Sequence, residues 1–75
     1  MNRATLRDHL AYVERHIRDS ERHLARQREI VAELERHGHG HSRTAQTARD
    51  ILVSFEMAQS AHLNDRVHLL LALRR

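Results

Sequence analysis

Residues 34–48 read Leu34-Glu-Arg-His-Gly-His-Gly-His-Ser-Arg-Thr-Ala-Gln-Thr-Ala48 and hold both glycines of a chain that contains no proline. Gly38 and Gly40 lie near the middle of the 75 residues, so the one strong break in local structure divides the chain into two nearly equal halves. On the N-terminal side runs a series of seam positions, Leu6, Leu10, Val13, Ile17, Ser20, Leu24, Gln27, Val31 and Leu34. On the C-terminal side runs a second, Ala45, Ala48, Leu52, Phe55, Gln59, His62, Arg66, Leu69 and Leu73. Both alternate steps of three and four residues, the spacing of a coiled-coil seam. The fold class predicted is all-α, an antiparallel helical hairpin of two long helices in a single domain spanning 1–75. Helix 1 is expected over about 4–37, the turn over 38–43 and helix 2 over about 44–73. Gly38 suits the left-handed conformation that ends a helix, and Ser42 or Thr44 suits the cap of the next. Folding back at the turn sets Leu34 against Ala45, Leu24 against Phe55, Ser20 against Gln59, Ile17 against His62 and Leu6 against Leu73.

A chain of 75 residues holds at most one small hydrophobic core. It has no cysteine, so neither a disulfide framework nor a thiolate metal site supplies stability. The first ten residues carry charge and no apolar run of signal-peptide length, and the longest apolar stretch is Leu69 to Leu73. That stretch is far short of the roughly 20 residues that cross a bilayer. A soluble, cytoplasmic protein with no membrane partner is expected. All 13 basic residues are arginine, yet 10 carboxylates interleave with them and the formal charge is only +3, so the pI of about 11.0 exaggerates how basic the surface is. The chain is histidine-rich, and its 8 histidines make the charge steeply dependent on pH below neutrality, where added charge would repel one copy from another.

On helix 1 the outward positions are charged, with Glu14 to Arg18 and Arg15 to Asp19 expected as i,i+4 pairs. Helix 2 differs. Ile51 and Ala58 widen its seam on one side, Leu63 and Leu70 widen it on the other, and Phe55 sits within it. A lone hairpin buries only the strip between two cylinders, so these residues predict an oligomer interface and a homodimer, or a higher homo-oligomer, built as a four-helix bundle.

The middle of the seam is polar, with Ser20 and Gln27 on helix 1 and Gln59, His62 and Arg66 on helix 2. The reading preferred is a hydrogen-bonded layer that fixes register, Ser20 facing Gln59, with Arg66 reaching water along its apolar stem. His9, His16 and His23 recur every seven residues beside the seam. A sharper alternative brings His16 together with His62 and Asp65 as ligands of zinc or a similar divalent metal. In the turn, His37, His39 and His41 form a second, looser candidate metal site. No cofactor is otherwise expected. Ferritin-like di-iron chemistry is disfavoured because its glutamates are missing.

The arginines raise nucleic-acid binding, but acidic residues interrupt each basic cluster. The only aromatic residues besides histidine are Tyr12 and Phe55, so specific binding is not expected and weak, salt-sensitive association ranks third. The chain has no phosphate loop, no cysteine nucleophile and no recognisable catalytic serine setting, and an enzyme is not expected.

The segment Glu21-Arg-His-Leu-Ala-Arg-Gln-Arg-Glu-Ile-Val-Ala-Glu-Leu-Glu-Arg36, followed by Gly38-His39, Ile51-Leu-Val-Ser-Phe-Glu56, Gln59, His62 and Asp65-Arg66, resembles a group of short proteins from soil and plant-associated proteobacteria. The resemblance covers most of the chain and implies a bacterial helical hairpin without implying an activity. Where that group has a Gly-His-Asp-Thr turn, this chain runs Gly38-His39-Gly40-His41-Ser42-Arg43-Thr44. The reading that unites these features is a small hairpin serving as an interaction or scaffold module, with a metal-binding or pH-responsive bundle as the runner-up.

Overall fold

The computed structural model describes residues 2–75 as two α-helices, α1 over Arg3–Arg36 and α2 over Arg43–Arg74, packed side by side in a rod with Cα extents of 53 × 14 × 14 Å. The seam positions explain the pairing. Val13, Ile17, Leu24, Gln27 and Val31 of α1 and Ala45, Ala48, Gln59 and Leu69 of α2 are buried, and the other seam residues of both helices are half-buried. At the open end Val13, Ile17 and Leu69 form a cluster against which Leu6 and Leu10 pack. Among the described residues no large side chain is fully enclosed, as expected where the interior is a strip between two cylinders.

Each end of each helix is closed by a specific device. Asn2 precedes α1, and its side-chain oxygen accepts from the Thr5 N–H at 2.8 Å. After α1, His37 is the cap and Gly38 takes φ 77°. The His39 N–H donates to the Leu34 carbonyl at 2.8 Å and the Gly38 N–H to the Glu35 carbonyl at 3.3 Å. These crossed bonds are a Schellman motif, and it turns the chain out of the helix. A Cβ on Gly38 would meet nothing within 4 Å, so glycine is required there for its backbone angle alone.

Ser42 caps α2: its Oγ accepts from the Ala45 N–H at 3.1 Å and donates to the His39 carbonyl at 2.7 Å. Of the two expected caps, Ser42 and Thr44, serine fills the role. Arg49 of α2 then ties the turn to both helices, donating from Nη2 to the Gly40 carbonyl at 2.8 Å while its Nη1 lies 3.6 Å from Glu35 Oε1. At the opposite end Arg3 Nη1 donates to the Leu73 carbonyl at 2.7 Å, a cation at the negative end of α2.

The pairs on the outer face of α1 differ from those expected. Asp19 pairs with Arg22, and Arg26 with Glu29, both one turn forward at i+3, in place of Glu14 with Arg18 and Arg15 with Asp19. Arg22, Arg26 and Glu29 are largely exposed and Asp19 is half-buried at the surface, where three-residue and four-residue spacings are nearly equivalent in energy and a pair contributes only a few tenths of a kcal/mol. Between the helices Arg28 approaches Glu56 at 3.9 Å, on the same flank as Glu35 and Arg49.

Candidate functional site

The polar middle of the seam is built differently from the expected Ser20 to Gln59 bond. Gln27, buried, extends across the contact and donates from Nε2 to the Ala48 carbonyl at 2.9 Å. Alanine at 45 and 48 makes this reach possible, because a methyl group leaves the backbone of α2 open to a side chain arriving from α1. Gln59 is also buried, but its Oε1 has no hydrogen-bond partner among the described residues. Such an orphaned acceptor costs on the order of 1–3 kcal/mol. Ser20, His62 and Arg66 are each half-buried nearby in the seam. The layer is therefore polar, as read from sequence, but satisfied at Gln27 and unsatisfied at Gln59.

Along one flank of the contact, rings form a ladder. His9 and Tyr12 have ring centres 6.4 Å apart, Tyr12 and His16 4.3 Å, and His16 and His62 5.3 Å with their planes 25° apart. Two turns further toward the Gly38 end, His23 lies 5.8 Å from Phe55. The seven-residue spacing of His9, His16 and His23 puts them on the same side of α1, and the hairpin brings His62 and Phe55 of α2 against them. Asp19, Ser20 and Ala58 complete a solvent-open groove with His16, His23, Phe55 and His62.

The expected metal ligands are not assembled as sets. Among the described residues no three histidine, aspartate or glutamate side chains are placed to hold a metal ion. His16 and His62 do meet, ring against ring, while Asp65 stands exposed on α2. Nor do the turn histidines converge: His37 and His39 border a groove with Ile30, Leu34 and Thr44, whereas His41 borders another with Glu35, Gly38, Gly40 and Arg49. The helix ends at His37 and the chain reverses at Gly38, so the imidazoles diverge to opposite sides of the turn.

The expected interface residues separate by flank. Phe55 is half-buried against His23, and Ile51 and Ala58 border grooves on the histidine side. Leu63 and Leu70 stand exposed on the other side. They belong to a larger apolar face that the sequence reading missed, since Val53, Met57, Val67 and Leu71 of α2 are exposed as well. These six side chains are between 37% and 69% exposed and recur at helical spacing over more than half of α2. The corresponding outer surface of α1 bears the arginines and carboxylates.

No helix among the described residues is long and apolar enough to cross a membrane. No protein family, curated protein or solved structure matches the chain.

Proposed function

We propose that this chain is a cytoplasmic self-associating module, two hairpins packing as a homodimeric four-helix bundle that serves as an interaction or scaffold element and performs no catalysis. The observation that carries the reading is the row of six large apolar side chains left in solvent on α2, Val53, Met57, Leu63, Val67, Leu70 and Leu71. A soluble monomer rarely leaves so continuous an apolar face uncovered, and covering a large aliphatic side chain is worth up to about 1.5–3 kcal/mol. A hairpin with seven buried hydrophobic residues among those described, two of them alanine, gains correspondingly much from a partner. Multi-angle light scattering of untagged protein tests this directly. A mass twice 8.8 kDa, with a melting temperature that rises with protein concentration, is the expected result. A folded species of single mass at tens of micromolar overturns it.

The contact of His16 with His62 supports a second reading, in which the same bundle responds to pH. Two imidazoles on facing helices stand with centres 5.3 Å apart directly across the contact that holds the hairpin closed, so charge on both would oppose that contact.

A further inference from the structure

We infer that the second copy docks α2 against α2 in antiparallel orientation, about a two-fold axis passing beside Ser60 and Asn64. The inference rests on the self-association proposed above and specifies its surface and register, with the four helices in a row, α2 of each copy at the centre and α1 outermost, in place of a square bundle. Away from the α1 contact, α2 carries a second seam, Asp50, Val53, Met57, Ser60, Asn64, Val67, Leu71 and Arg74, whose steps alternate three and four like those of the first. All eight are exposed. The order is nearly palindromic in chemistry: an acid, two apolar residues, two small polar residues, two apolar residues, a base.

In an antiparallel pair centred between Ser60 and Asn64, Val53 meets Leu71 of the second copy, Met57 meets Val67, and the two small polar residues meet each other. Asp50 then faces Arg74 at each end, twice by symmetry. Neither makes an ion pair within the hairpin among the described residues; Asp50 Oδ1 accepts from Gln46 Nε2 at 2.9 Å, which leaves its charge unneutralised and open to a cationic partner. A parallel pair would set Asp50 against Asp50 and Arg74 against Arg74, and like charges opposed in this way select against that arrangement. Leu63 and Leu70 border the seam and would be covered by the same contact. From Val53 to Leu71 the contact is about 27 Å long at 1.5 Å rise per residue, half the length of the rod.

The absence of cysteine permits a clean test. Val53→Cys and Leu71→Cys proteins are made separately, checked for helicity by circular dichroism, mixed, unfolded and refolded together, and oxidised. Both positions are exposed, so neither substitution removes core packing. A disulfide between the two variants, in excess over either self-disulfide, is the expected product. Predominance of self-disulfides would overturn the antiparallel arrangement. A dimeric mass by light scattering without any disulfide would place the contact on another surface and overturn the inference while leaving self-association intact. A monomeric mass would overturn both. As a second readout, Asp50→Arg should weaken the dimer about tenfold and addition of Arg74→Asp should restore it. An Asp50→Arg protein that dimerises like the parent would also refute the assignment.

Discussion

Gln27 of α1 donates its Nε2–H to the Ala48 carbonyl of α2 at 2.9 Å, a side chain bonded to the backbone of the facing helix in the buried strip between them. Gln59, the other buried glutamine of the seam, leaves its Oε1 without a donor. The two residues are alike in type and burial and opposite in satisfaction, so they should respond oppositely to loss of the amide. Gln27→Leu should lower stability by about 1 kcal/mol, whereas Gln59→Leu should raise it by about as much. Urea unfolding of both variants at matched protein concentration checks this, and destabilisation by Gln59→Leu would show that its amide has a partner in the assembled protein.

The two glycines of the turn are not equivalent. Gly38 has φ 77°, and an L side chain there costs on the order of 1–2 kcal/mol. Gly40 has no positive φ, and an added Cβ would sit 3.5 Å from the Glu35 Cγ, an ordinary contact. Gly38→Ala should therefore lower the melting temperature by several degrees, while Gly40→Ala should leave it unchanged or raise it slightly. Equal effects would mean that the turn does not use the Schellman geometry.

Ser42 and Thr44 offer a similar contrast. The Ser42 Oγ accepts from the Ala45 N–H and donates to the His39 carbonyl, so Ser42→Ala should cost about 1 kcal/mol. Thr44 is exposed within the first turn of α2, and Thr44→Ala should change stability by less than about 0.5 kcal/mol. Thermal melts of the two variants rank the caps.

The hairpin was legible because a seam is a periodic quantity. All eighteen residues on the two seam series are buried or half-buried, and the turn chemistry at Gly38 and Ser42 falls between them. What escaped the sequence reading depends on finer geometry. Whether Gln59 meets Ser20 is a matter of side-chain reach across a few ångströms, which spacing does not fix. The clamp by Arg49 joins a side chain to a turn carbonyl nine residues away, and no local pattern announces it. The apolar face with Val53, Met57, Val67 and Leu71 was overlooked for a different reason: once one seam is assigned, the opposite side of a helix is taken as solvated, and here it carries a second series of the same period. Asp65 was placed beside His16 by register alone, and one helical turn was enough to leave it in solvent while His62 took the contact.

A rod whose Cα atoms span 53 × 14 × 14 Å experiences more friction than a sphere of equal volume. A solitary hairpin would therefore leave a gel-filtration column early, at the position of a substantially heavier globular standard, and imitate a pair. Elution volume and particle mass are separate quantities for this shape, so sedimentation equilibrium or scattered intensity, which are blind to elongation, must decide how many copies travel together.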